Sequence, residues 1–354
     1  MSARQTFYAS MRPLFPFFWR PRGVVPSLED LSPADKVVAK HDVSLSVSGK
    51  NSGHHPLIVA ELAGGRIIGD LRLVANADDA VVGAVQGLSG STDSCNHYLL
   101  HRRRFRLPRN RRGTALLLGA ANSDNYYHWL LDSLPRWRML QAAKYADYDY
   151  VLLHSQPHHF QDETLDRLNV PTAKRLRCNK NFVYQFDRLV VPAMPFPDWG
   201  ITPWACEWVR SLFLERSGGP DRIYLSRRDA VRRPLVNEAE LEARLQKLGF
   251  VCVQSGKLSV AEQAGLFSAA KWVVAPHGAG LANLVFAPSG ARVIELLPPE
   301  SRNPCYQHLA RACGLLYTSL IGTRTHKFAC RDDHHAEFTI DVSEVLRLAA
   351  KAET

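Results

Sequence analysis

Pro276-His277-Gly278-Ala279-Gly280, with Asn283 just after, sets an imidazole, an amide and two glycines behind an apolar run at Trp272-Val273-Val274. A buried strand that breaks at a glycine turn and resumes as a helical turn leaves backbone N–H groups unpaired, and such groups bind phosphate. His277 and Asn283 could hydrogen-bond the same ligand; the plainer alternative is a tight turn around a packed histidine. Ser226, Arg227 and Arg228 follow a second β-rich run, Arg222–Leu225, and Arg232 and Arg233 come a little further on. Glu295 lies near the end of a third such run. If these strand ends converge, guanidinium and N–H groups would clamp a diphosphate, and Glu295 could accept hydrogen bonds from ribose hydroxyls. Each arginine taken alone is a surface charge; the shared placement at strand ends favours a site. His128 and Asp132, four apart near a helix start, form a candidate acid/base pair, set against a capping histidine and a surface aspartate.

The elements that must position these groups are legible in outline. In the second half, Arg222–Leu225, Phe250–Val253, Trp272–Val274, Arg292–Leu297 and Leu315–Leu320 read as strands. Between them Asn237-x-x-Glu240 and Ser259-x-x-Glu262 resemble capping boxes, and a helix from about Pro304 ends at Gly314. This alternation implies a parallel, right-handedly connected sheet whose ligands lie beyond the carboxyl ends of the strands. The first half is less regular. Apolar runs around Gly64-Gly65 predict a hairpin, Leu116–Leu118 a buried strand, and Asn122–Asn125 the cap of a helix that starts near Tyr126 and kinks at Pro135. Further strands are expected at Tyr150–Leu153 and Arg188–Val191, and helices near Gln161–Leu168 and Pro203–Arg216. Ser217-Gly218-Gly219-Pro220 is the best linker, so the expected division is an irregular segment 1–55, an α/β domain 56–216 and a nucleotide-binding domain 217–354.

Composition bounds the function. The 354 residues are 46% hydrophobic and 22% charged, which fits a globular chain with a sizeable core. The net charge of +10 points to an anionic partner without choosing among nucleotide, nucleic acid, acidic glycan and membrane surface. The seven cysteines are scattered and form no C-x-x-C, so a reducing, cytoplasmic setting is expected. Phe15, Phe17, Phe18 and Trp19 offer a peripheral membrane contact, and basic runs at Arg102–Arg104 and Arg109, Arg111 and Arg112 an anionic one. Neither a dinucleotide G-x-G-x-x-G nor a P-loop is present. No D-x-D aspartate pair serving a metal-dependent nucleotide-sugar site is expected.

The stretches IYLSRRDAVRRPLVNEAELEARLQKLGF, LSVAEQAGLF and VVAPHGAGLANLVFAPSGARVIEL, with NYYHWLLDSLPRW upstream, resemble glycosyltransferase family 61. The resemblance implies a GT-B architecture, two Rossmann-like domains with parallel sheets facing a cleft. It implies inverting transfer from a nucleotide-sugar donor to a glycan or lipid-linked glycan acceptor, with no cofactor and no obligatory metal. It looks closest to the bacterial members tied to capsular, exo- or lipopolysaccharide synthesis, working in the cytoplasm or at the inner membrane face. Ser226, Arg227, Arg232, Arg233, the turn His277-Gly278-Ala279-Gly280, Asn283 and Glu295 are then the donor side, and His128 or Asp132 the base. The competing expectation is a basic protein that binds nucleic acid or anionic glycan without catalysis.

Overall fold

The computed structural model describes residues 18–19, 23–25, 36–42, 56–69, 71, 73–82, 105–106, 108–195, 201–213, 218–229, 232–299, 301, 303–325 and 337–350. The side chains of Phe15, Phe17, Phe18, Trp19, Arg102, Arg103 and Arg104 lie outside that description. The fold is mixed α/β with parallel sheets, and the chain divides into two compact units. The first comprises Met1–Asp124, Asp132–His158 and Leu168–Pro195; the second comprises Asn125–Leu131, His159–Arg167 and Phe196–Thr354. Gly218-Gly219-Pro220 therefore sits inside the second unit, and Asn125–Leu131 and the helix His159–Arg167 belong to that unit as well.

The first unit carries a ten-stranded sheet. Arg109–Leu117 runs parallel to Tyr150–His154 on one side and to Val183–Pro192 on the other, and Arg175–Cys178 extends the parallel part. Val183–Pro192 then pairs antiparallel with both Pro56–Ala63 and Arg66–Ile68, so the sheet is mixed rather than wholly parallel. The expected hairpin at Gly64-Gly65 does not form, because its two arms lie end to end along one neighbour. Gly64 takes a left-handed φ of 62°, and a Cβ on Gly65 would stand 2.7 Å from that of Leu189. The glycines bend a strand against its partner and do not reverse it. Leu62, Ile67, Leu117, Leu152, Phe186 and Leu189 fill the core beneath.

The helix expected from Tyr126 is interrupted. His128–Ser133 is a π-helical segment, and an α-helix follows over Leu134–Ala142 with Pro135 in its first turn. Proline has no N–H to return to the preceding turn, and the wider turn absorbs that loss just before it.

In the second unit five parallel strands lie in the order Val251–Val253, Arg222–Leu225, Trp272–Pro276, Arg292–Leu297, Leu316–Ile321. The chain starts in Arg222–Leu225, steps outward to Val251–Val253, then crosses back to Trp272–Pro276 and continues the other way. The winding direction thus reverses between Arg222–Leu225 and Trp272–Pro276, and a crevice opens beyond the carboxyl ends of such a pair. Ser259 and Glu262 form the capping box of helix Val260–Ser268, and Glu163 adds its carboxylate to the N–H groups of Val260 and Ala261 at 2.7 and 2.8 Å. Asn237 makes no such cap. Its amide brackets the backbone of Ile340, donating to the carbonyl at 2.9 Å and accepting from the N–H at 3.1 Å. That bond places Phe338–Thr339 and helix Val342–Ala350 in the core, with Val342, Val345 and Ala349 clustered with Leu241 and Leu245. Among the described residues no helix is long and apolar enough to cross a membrane.

Candidate active site

Tyr224 pairs with Val274, so Ser226-Arg227 and His277–Gly280 leave the sheet side by side at the reversal point. Helix-like turns continue over Ala279–Phe286. The Arg227 guanidinium reaches across and donates to the carbonyl of His277, and to that of Arg232 at 3.3 Å. Gly278 is extended, with φ 178°, so its backbone would accept any residue; space excludes one. A Cβ there would meet the Arg227 guanidinium at 2.6 Å. The next carbonyl, that of Gly278, accepts from the Tyr306 hydroxyl at 2.5 Å. Because N–H and C=O point oppositely across a trans peptide, these two bonds turn the N–H groups of Gly278 and Ala279 away from Arg227 and Tyr306.

Two cations gather at the turn: Arg227 on the His277 carbonyl, and Arg233 close enough to Arg227 and Tyr306 to interact with their charge. Burial, followed by the like charge of Arg233, lowers the pKa of Arg227, and burial lowers that of Arg233. Arg233 holds a left-handed φ of 55°, and its Nε is buried with no hydrogen-bond partner among the described residues. Like charges drawn together out of water, one on a strained backbone, define a place that favours an anion. Arg228 is instead neutralised by Glu242 at 2.5 Å, and Arg232 is exposed.

Several of the expected ligand groups brace the turn. Ser226 Oγ, Tyr224 OH and the Arg227 N–H all donate to Oε1 of buried Glu238, at 3.0, 3.0 and 2.8 Å. Asn283 is fully buried; its amide donates to Gln263 at 2.6 Å and to the Gly280 carbonyl at 3.0 Å, and accepts from Tyr126 OH at 2.8 Å. Glu295, 1% exposed, takes His277 Nδ1 on one oxygen at 2.5 Å and Tyr317 OH on the other at 2.6 Å. Nothing in the local sequence around Glu238, Tyr306 or Tyr317 marks them as partners of the turn. Each is an ordinary amphipathic-helix or strand residue until the sheet is assembled.

The upstream motif meets this turn within the second unit. Four rings stand in a row, all edge to face: His128 to Tyr127 at 5.3 Å between centroids, Tyr127 to Tyr306 at 5.5 Å, and Tyr306 to His277 at 5.2 Å. Asp132 groups with the first unit. There it supplies the charge that opposes buried Arg136, whose pKa desolvation brings down to about 10. Arg136 also donates to the Gly119 carbonyl at 2.9 Å.

Asp147-Tyr148-Asp149 does form a D-x-D in the sequence, but Asp149 accepts the Thr114 N–H at 2.8 Å and so ties two strands of the first unit. Among the described residues no group of three or more His, Cys, Asp or Glu is arranged to hold a metal ion.

The family model described as Glycosyltransferase 61 matches residues 126–294, from the tyrosine bonded to Asn283 into the strand Arg292–Leu297. That stretch is similar to glycosyltransferase family 61, in line with the motifs. Among curated proteins, the EGF domain-specific O-linked N-acetylglucosamine transferase of Drosophila melanogaster is 34% identical over 136 residues, which cover 35% of this chain and 26% of the relative. The chain thus spans about a quarter of that relative's length. Both findings support glycosyltransferase activity.

Proposed function

We propose that this chain is an inverting glycosyltransferase of the GT-B type, taking a sugar from a nucleotide-sugar donor to a glycan acceptor without an obligatory metal. The observation that carries the reading is the pair of desolvated guanidiniums, Arg227 bonded to the His277 carbonyl of the turn and Arg233 near Arg227 and Tyr306. A nucleoside diphosphate is the ligand class that matches: its two phosphates accept from backbone N–H and guanidinium together. As the sugar leaves, negative charge grows on the terminal phosphate oxygen, and fixed donors stabilise that charge more than they do the intact donor.

The acceptor hydroxyl must lose a proton as its oxygen bonds to the anomeric carbon. His128 is the better base of the original pair, since Asp132 is engaged as the counter-charge of Arg136. Tyr127 and Tyr306 hold the His128 ring at the end of the row that begins at His277.

The test is a thermal-shift panel of nucleoside diphosphates, followed by release of nucleoside diphosphate from the matching nucleotide sugars, with and without chelator. Saturation at 100-fold above the dissociation constant should stabilise by about 2.7 kcal/mol. Release that survives chelation supports the reading, and release that stops on chelation sinks its metal-independent part. A panel without any shift, together with tight but salt-sensitive binding of polyanions, would favour a basic binding protein instead.

A further inference from the structure

His277, Glu295 and Tyr317 form a buried chain of hydrogen bonds with one open end. His277 Nδ1 faces Glu295 Oε1 at 2.5 Å, and the Tyr317 hydroxyl donates to Oε2 at 2.6 Å. Both carboxylate oxygens are engaged, and the carboxylate is 1% exposed. A carboxylate can only accept, so Nδ1 is the nitrogen that carries hydrogen, and Nε2, on the far edge of the ring, is the one left for a ligand. The Tyr317 phenol stays a donor, because burial and then its bond to Glu295 hold it well above its usual range.

The geometry points to Glu295 and Tyr317 as positioning residues that orient His277 so that Nε2 hydrogen-bonds a phosphate of the ligand, with Glu295 making no contact to ribose. This inference rests on the diphosphate reading above and replaces the ribose role that strand-end placement suggests for Glu295. When Nε2 donates to a phosphate, Glu295 is the internal counter-charge of the imidazolium, so no charge is left unbalanced beside the turn. The His277 backbone is fixed independently: its N–H donates to the Leu296 carbonyl at 2.9 Å, and its carbonyl accepts from Arg227. Only the ring's orientation depends on Glu295.

Inorganic pyrophosphate separates the two roles, since it has phosphates and no ribose. Calorimetry would compare pyrophosphate with the best nucleoside diphosphate for wild type, Glu295→Gln and Tyr317→Phe. Loss of a charge-assisted bond corresponds to about a ten- to hundredfold drop. Positioning of His277 requires Glu295→Gln to weaken both ligands by the same factor in that range, with a smaller common factor for Tyr317→Phe. Weakening of the nucleoside diphosphate alone would restore the ribose role and overturn the proposal. Nitrogen-15 spectra of the ligand-free protein supply the second readout: His277 should show one tautomer, hydrogen on Nδ1, in wild type and a mixture in Glu295→Gln. An unchanged single tautomer in that variant overturns the proposal too. Should wild type bind neither ligand, the diphosphate reading fails, while the tautomer result still decides whether Glu295 orients the ring. If Glu295→Gln does not fold, Tyr317→Phe, which removes one hydroxyl from a half-buried ring, carries both measurements.

Discussion

Tyr306 donates its hydroxyl to the carbonyl of Gly278 at 2.5 Å, and the ring that does so is 3% exposed. One buried phenol thereby sets the orientation of a peptide plane 28 residues away in sequence. Burial pushes its pKa well above the usual value of 10.0, as it does for Tyr224 and Tyr317.

That shift has a sign in stability. An acid raised in the fold stays protonated where the unfolded chain ionises, so its contribution is present below about pH 10 and lost as pH climbs beyond. Alkaline unfolding should therefore steepen above pH 10 in wild type, and Tyr306→Phe should flatten the curve while costing about 0.5–1.5 kcal/mol at pH 7. Denaturant melts from pH 7 to 11 check both parts. An identical slope in the two proteins would show that the phenol does not resist ionisation.

Arg227 and Arg233 should separate by what they hold. Arg227→Ala frees the carbonyls of His277 and Arg232, so it should lower the melting temperature and nucleoside diphosphate affinity together. Arg233→Gly removes a charge and also a left-handed non-glycine backbone whose strain is on the order of 1 kcal/mol. Its melting temperature should hold or rise while affinity falls about ten- to a hundredfold. Calorimetry and scanning fluorimetry on the same samples would reveal it, and parallel losses in both variants would contradict this assignment.

Gly278→Ala should act through Arg227, since the backbone there is extended and the three atoms nearest the added Cβ all belong to the guanidinium. In a double-mutant cycle on affinity, Gly278→Ala should cost markedly less in the Arg227→Ala background than in wild type. Additive effects would mean that the alanine disturbs the turn in some other way.

His128→Ala should lower turnover by about 10²–10⁴-fold with the melting temperature nearly unchanged, as expected of a general base. Asp132→Asn leaves the buried Arg136 without its opposing charge and should destabilise by up to about 3 kcal/mol. Single-turnover rates beside melts rank the two. A stable, inactive Asp132→Asn with an active His128→Ala would reverse the assignment.

The amino-acid sequence by itself determined the parallel sheet of the second unit and the strand ends from which Ser226-Arg227 and His277–Gly280 emerge. Strand runs such as Arg292–Leu297, the Ser259-x-x-Glu262 cap and the glycines of the turn act over a few residues, so periodicity and spacing carry them. The hairpin expected at Gly64-Gly65 was misleading for the same reason: the glycine pair is local, but Val183–Pro192, the strand that both arms choose, is over a hundred residues away in sequence. Only the tertiary structure decided which polar groups of the turn bond to each other. A buried polar side chain must find a partner, and the partner is whatever the fold brings within about 3 Å, however distant in the chain. Hence Asn283 went to Gln263 and Tyr126, Ser226 to Glu238, and Glu295 to His277 and Tyr317, while Arg233 Nε has no partner among the described residues.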